Sequence, residues 1–269
     1  MRLSGKKALV TGAASGIGKA VVDAFLRDGA EVIGADVAYL TAPNDVACAS
    51  GTSREPNRRA QEDSGRLLLL GLDVTREDDW ERLAQHLVGL NVLVACAGIS
   101  AAQPMDETSL ADWRRVMNVN LDGAFLSVKH GARAMRHGGG GSIVVIGSAS
   151  GVKAAAGASA YCVSKAGVRM LVRAAALELK PEAIRVNCVS PAAVVTPMWQ
   201  KMPFWSGLVE KHGSEDEAWK ALGGSDPAVP SIQRMALPEE VAAAVVFLSC
   251  DESAHITGAE LMVDGGYTL

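Results

Sequence analysis

Tyr161 and Lys165 stand four positions apart in Tyr161-Cys162-Val163-Ser164-Lys165, so on a helix they share one face. A free phenol ionises near pH ~10 and is a poor base at neutrality. An ammonium one helical turn away favours the phenolate, and a cationic ring bound alongside would push the same way. Such a pair can exchange a proton with an alcohol or a carbonyl. Alone the spacing is a weak signal, because a Tyr and a Lys one turn apart usually belong to a solvated face. Ser148 strengthens it. It precedes Tyr161 by thirteen residues in Gly147-Ser148-Ala149-Ser150-Gly151, where its hydroxyl could hold a substrate oxygen beside the phenol, with Ser150 close by. Asn120, in Asn118-Val119-Asn120, falls in the preceding predicted helix, and its amide could hold a water that connects Lys165 to solvent. Plainer readings stand beside these: a turn serine, and a helix asparagine satisfied by backbone. Cys162 adjoins Tyr161 but points elsewhere on the helix and reads as packing.

A second constellation could bind phosphate. The first predicted strand runs into Thr11-Gly12-Ala13-Ala14-Ser15-Gly16-Ile17-Gly18. Glycines allow a tight turn and let a pyrophosphate approach bare backbone, while the helix that follows offers unpaired N–H groups. Placed between a strand and a helix, the cluster reads as a dinucleotide site built on Gly12, Ser15, Gly16, Ile17 and Gly18. Asp36 ends the second strand eighteen residues after Gly18, where a carboxylate accepts hydrogen bonds from ribose hydroxyls. A 2′-phosphate would meet a like charge there, and no Arg or Lys adjoins Asp36 to offset it, so NAD is expected over NADP. Asp73-Val74 after the third strand could reach the adenine, and Ala97-Gly98 follow the fourth.

These residues need a scaffold that gathers strand ends. Seven short apolar runs read as strands: 7–11, 31–35, 66–72, 91–95, 142–146, 184–189 and 260–263. Helices are predicted near 15–27, 76–88, 110–136, 159–179 and 238–249. The strands are apolar on both faces, as buried parallel strands are, and their alternation with helices predicts an α/β fold. It is a single doubly wound (Rossmann) parallel sheet of about seven strands with helices on both faces, in one domain over 1–269. Tyr39–Gly65 reads as a polar surface excursion, and about 196–237 as an insertion over the substrate.

The 269 residues are 49% apolar and 21% charged, with net charge −4, an ordinary enzyme composition that argues against nucleic acid or anionic lipid as partner. No apolar run of about eighteen residues is present, so no membrane span is expected. The chain enters its first strand almost at once, and no leader is expected ahead of it. The five cysteines form no CxxC, no His pair has metal-ligand spacing, and no metal is expected. The cysteines read as free thiols of a cytoplasmic protein.

Taken together, TGAASGIG at 11–18, Asp73-Val74, Val119-Asn120, Ser148 and Tyr161-xxx-Lys165 resemble the short-chain dehydrogenase/reductase family over nearly the whole chain. The resemblance implies that Tyr161 is the general acid/base and that Lys165 assists it and binds the nicotinamide ribose. Ser148 would orient the carbonyl, and Asn120 would support a proton relay. It implies hydride transfer on the pro-S face, Pro191, Val194 and Thr196 near the nicotinamide, and Asp264-Gly265-Gly266 as a C-terminal signature. Two positions depart from the family pattern. Cys96 stands where the family usually has Asn, which puts a local hydrogen bond in doubt, and Ala192 follows Pro191 where Gly is usual.

The expected activity is NAD-dependent interconversion of a secondary alcohol and its ketone. Met198, Trp199, Phe204 and Trp205 form an apolar cluster. It either closes over a compact alicyclic, terpenoid or steroid-like substrate, or packs on the chain's own core or on a neighbour. Rival readings are a 3-ketoacyl-carrier-protein-type reductase and a non-catalytic NAD-sensing protein. Apolar residues on more than one face of the helices at 110–136 and 159–179 suggest burial against a second subunit, and the family resemblance implies a homotetramer, less often a dimer.

Overall fold

The computed structural model describes residues 1–40, 65–136, 138–223, 232 and 234–269. The expectation of a polar excursion after Tyr39 concerns residues that, from 41 to 64, lie outside this set. Residues 224–231 and 233 of the expected insertion lie outside it as well.

The strands are β1 (Lys7–Thr11), β2 (Glu31–Asp36), β3 (Leu67–Gly71), β4 (Val92–Ala95), β5 (Gly141–Ile146), β6 (Ile184–Pro191) and β7 (Glu260–Val263). All pair in parallel in the order β3-β2-β1-β4-β5-β6-β7. The doubly wound sheet expected from the strand–helix alternation is thus observed. Strand pleating divides the core into two layers. Leu9, Ile33, Leu93, Ile143 and Val145 face one side, beneath α4 (Gly123–Arg136) and α5 (Ser159–Leu179). Ala8, Val10, Val32, Val94 and Val144 face the other, beneath α1 (Gly16–Arg27) and α9 (Pro238–Ser249). Because every strand runs the same way, Thr11, Asp36, Ala95, Ile146 and Pro191 all emerge at one edge. The order reverses at β1, whose neighbours are β2 and β4, and a crevice opens there.

Between β3 and β5 the chain forms α2 (Glu77–Leu83) and α3 (Leu110–Met117). The single helix predicted over 110–136 is divided. A π turn at Asn118–Asp122 separates α3 from α4, and such turns widen the backbone where a side chain must reach inward. After β6 come α6 (Pro197–Gln200), α7 (Trp205–His212) and α8 (Glu215–Gly223). No helix among the described residues is long and apolar enough to cross a membrane.

Candidate active site

The crevice at the strand ends begins with the glycine turn. Gly12 has φ +70°, and a Cβ there would stand 2.9 Å from the Ala97 backbone. A Cβ on Gly18 would stand 2.1 Å from the Gly12 carbonyl oxygen. Only bare backbone therefore allows β1, the turn and the start of α1 to lie so close to the loop after β4. Ser15 precedes α1 without a side-chain cap, and the first turn holds no acidic residue. The N–H groups at this helix start are left for an anion, which the dipole also favours.

Asp36 is fixed beside this turn. One carboxylate oxygen accepts from the Ala14 N–H at 3.0 Å and the other from the Ala38 N–H at 2.9 Å. Lone pairs remain for hydroxyl donors. Asp73 accepts from the Thr75 N–H and hydroxyl at 3.0 and 2.7 Å, and Val74 lines the crevice beside it. The loop after β4 is tied to β1, where the Thr11 hydroxyl accepts from the Cys96 and Ala97 N–H groups at 3.0 and 3.2 Å. Burial pushes the Cys96 thiol up to about 12, so it is a neutral packing group at neutral pH. Ala192 is not among the positive-φ residues, so its side chain is accommodated without strain.

Lys165 is buried, and its Nζ donates to the carbonyl of Ile146, the last residue of β5, at 2.8 Å. That ammonium lies 5.8 Å from the centroid of the Tyr161 ring, and both side chains line the crevice with Ser148, Gly98 and Ser150. Ser148 is buried, and its hydroxyl accepts the Ser150 N–H at 3.1 Å, which leaves its proton to donate to a substrate oxygen. The sheet edge thus brings a phenol, an ammonium and a hydroxyl to one place, as their sequence spacing predicted.

Asn120 is buried and held by both ends of its amide. Its Oδ1 accepts the Ile99 N–H at 2.8 Å, while its Nδ2 donates to the Ile99 carbonyl at 2.9 Å and the Ser164 hydroxyl at 3.1 Å. These bonds brace the loop after β4 against α5.

The apolar cluster also divides. Met198, Trp199 and Phe204 line the crevice, with Trp199 Nε1 donating to the Val194 carbonyl at 2.9 Å. Trp199 and Phe204 meet at 6.3 Å between ring centroids. Trp205, expected at the substrate, is not a lining residue. It is buried against Trp219 with centroids 4.7 Å apart, because α7 turns its first residue toward α8. Pro191, Val194 and Thr196 line the wall beside the glycine turn, and Thr196 lies against Gly16.

The C-terminal segment is a wall that the sequence did not reveal. Asp264, Gly265, Gly266, Tyr267 and Leu269 line the crevice. The Asp264 carboxyl is held below its usual range by the Thr268 hydroxyl and by the N–H groups of Gly266 and Thr268. Thr11 is a second such position, and its place at the strand end one residue before Gly12 is the sequence signal for it.

Comparison with known proteins agrees with this geometry. A family described as enoyl-(acyl carrier protein) reductase matches residues 12–268. Cis-4-hydroxycyclohexanecarboxylate dehydrogenase of Sinomonas cyclohexanicum is 39% identical, covering 97% of this chain and 96% of the relative. The 3-alpha-(or 20-beta)-hydroxysteroid dehydrogenase of Mycobacterium bovis is 35% identical, covering 98% and 90%. The ligand-free aldohexose dehydrogenase of Thermoplasma acidophilum superposes with a TM-score of 0.78 at 30% identity, covering 98% of this chain and 94% of that one. The chain belongs to the short-chain dehydrogenase/reductase family. It is an oxidoreductase of the kind that acts on CH–OH groups.

Proposed function

We propose that the protein is an NAD-dependent dehydrogenase of compact, mostly apolar secondary alcohols, with alicyclic or steroid-like alcohols as the substrate class. The observation that carries this reading is Tyr161, Lys165 and Ser148 converging on the apolar wall of Met198, Trp199 and Phe204. The substrates named for the cyclohexanecarboxylate and hydroxysteroid relatives point the same way. The bare backbone at Gly12 and Gly18 and the uncapped start of α1 fit a dinucleotide, which when bound supplies the hydride acceptor. Asp36 beside the turn supports NAD, since a 2′-phosphate would stand against a carboxylate there.

In the oxidation direction Ser148 donates to the alcohol oxygen and holds it against Tyr161. The Tyr161 phenolate takes the hydroxyl proton as the carbon gives up its hydride. Lys165, anchored on Ile146, holds a positive charge beside the phenol ring and keeps protons free for ribose hydroxyls. Reduction runs the same proton from Tyr161 to the carbonyl oxygen. Asp36 also weighs against a carrier-protein reductase that uses NADPH.

The protein is proposed to be cytoplasmic and self-associating. Phe125 on α4, and Val163, Met170 and Leu177 on α5, are 49, 47, 62 and 67% exposed, an apolar surface that a second copy would cover. Residues 196–237 are proposed as the substrate-covering part of a single domain.

The test is a panel of cyclic and acyclic secondary alcohols with NAD and NADP, followed by the near-ultraviolet absorbance of the reduced cofactor. Reduction of NAD with cyclic alcohols, and weaker reduction of NADP, is expected. Cofactor binding with no turnover on any secondary alcohol or ketone would overturn the reading in favour of an NAD sensor.

A further inference from the structure

The loop that carries Ser148 is tied to the helix that carries Tyr161 and Lys165 by a polar network on its far side. Arg169 follows Lys165 by one turn of α5. Its Nε donates to both Glu260 carboxylate oxygens at 2.8 and 2.6 Å, and its Nη1 donates to the Gly151 carbonyl at 2.9 Å. Gly151 closes the turn that starts at Ser148, with its N–H on the Ser148 carbonyl at 2.9 Å. Glu260, at the start of β7, also accepts the Ser190 hydroxyl at 2.7 Å. Ser190 is fully buried in β6 and lies against Gly147, where a Cβ would come within 2.4 Å of its hydroxyl oxygen. The side chains of Arg169 and Glu260 are 25 and 12% exposed, so the pair is largely withdrawn from water and directional. Arg169, Glu260, Ser190 and Gly151 themselves do not line the crevice where the alcohol would sit.

We infer that Arg169, held by Glu260 and Ser190, is a positioning residue. It fixes the turn 147–151 relative to α5 and so sets the reach between the Ser148 hydroxyl and Tyr161. This rests on the alcohol dehydrogenase reading for its catalytic consequence but not for its structural one. Only a guanidinium can hold the Glu260 carboxylate and the Gly151 carbonyl at once from one planar group. An ammonium at this position would keep the charge and lose one of the two partners. A misplacement of about 1 Å in a catalytic group is enough to cost up to about a hundredfold in rate.

The test uses the full-length protein and the variants Arg169→Met, Arg169→Lys, Ser148→Ala and Ser148→Ala with Arg169→Met. Hydrogen exchange read by mass spectrometry is expected to rise over 147–152 in Arg169→Met and to stay unchanged over α1. With a cyclic alcohol and NAD, kcat of Arg169→Met is expected to fall about tenfold to a hundredfold, with the cofactor Kd unchanged and partial recovery in Arg169→Lys. In the Ser148→Ala background the same change is expected to cost less than twofold, because the group being positioned is gone. A kcat loss that multiplies undiminished on top of Ser148→Ala would overturn the inference, as would unchanged exchange over 147–152. A wild type that turns over no secondary alcohol would instead sink the functional reading, and the exchange of 147–152 would still decide whether Arg169 holds the turn.

Discussion

The two walls of the crevice are built differently. On the sheet side, polar groups are fixed by backbone at a strand end or in the turn or loop just after one. Lys165 is held on Ile146, Asp36 on Ala14, and Asn120 on Ile99. On the other side, over 196–223, Met198 and Trp199 on α6 and Phe204 just before α7 line the crevice; the rings of Trp199 and Phe204 meet, and Trp199 is anchored by a hydrogen bond to the Val194 carbonyl. The first wall is set by the strand ends and by the turns and loops that follow them. The second depends on a few apolar side chains that can change without disturbing the strands. On the proposed reading, proton chemistry and substrate choice are carried by separable parts of this fold.

Substitutions on the two walls should break in different currencies, rate on one and selectivity on the other. Lys165→Met should have the largest effect among the supporting residues, a fall in kcat of about a thousandfold. Far-ultraviolet circular dichroism should be unchanged, which confirms that the fold survives loss of the bond to Ile146. Asp36→Asn keeps the shape beside the glycine turn and removes the charge. The ratio of kcat/KM for NADP over NAD should rise about tenfold, measured in parallel assays of the two cofactors. Phe204→Ala should leave kcat on a small cyclic alcohol within about twofold and change the ratio of kcat/KM between large and small cyclic alcohols by about tenfold. Trp205→Ala sharpens the same contrast. Because Trp205 packs on Trp219 away from the crevice, its loss should cost about 3 kcal/mol in urea unfolding and leave that ratio unchanged. At the bottom of the scale, the neutral Cys96 thiol, pushed up to about 12, should resist iodoacetamide at mildly alkaline pH in the folded protein. It should react after denaturation, read by peptide mass mapping.

The sheet was legible because buried parallel strands leave short apolar runs whose ends coincide with the turns. Helices α5 and α9 and strand β7 match their predicted bounds, since Ser159, Pro238 and Glu260 mark sharp changes of composition. The π turn at Asn118–Asp122 was not legible, because one widened turn leaves the apolar periodicity on either side intact. That Ser148, Tyr161 and Lys165 come to one crevice was readable from spacing. What the residues around them touch was not: the partners of Asn120 lie 21 and 44 residues away, and Arg169 meets Glu260 across 91 residues. Trp205 was grouped with Phe204 because they are adjacent, yet consecutive helical residues point some way apart, and only the packing of α7 on α8 decides which one faces the crevice.

The central claim is that Tyr161, expected to touch the cofactor as well, exchanges the proton of the alcohol. The most direct measurement compares wild type and Tyr161→Phe for NAD affinity by calorimetry and for turnover of a cyclic secondary alcohol. The account predicts a Kd for NAD within about threefold of wild type and a loss of at least about a thousandfold in kcat. Turnover in Tyr161→Phe close to that of the wild type would contradict it.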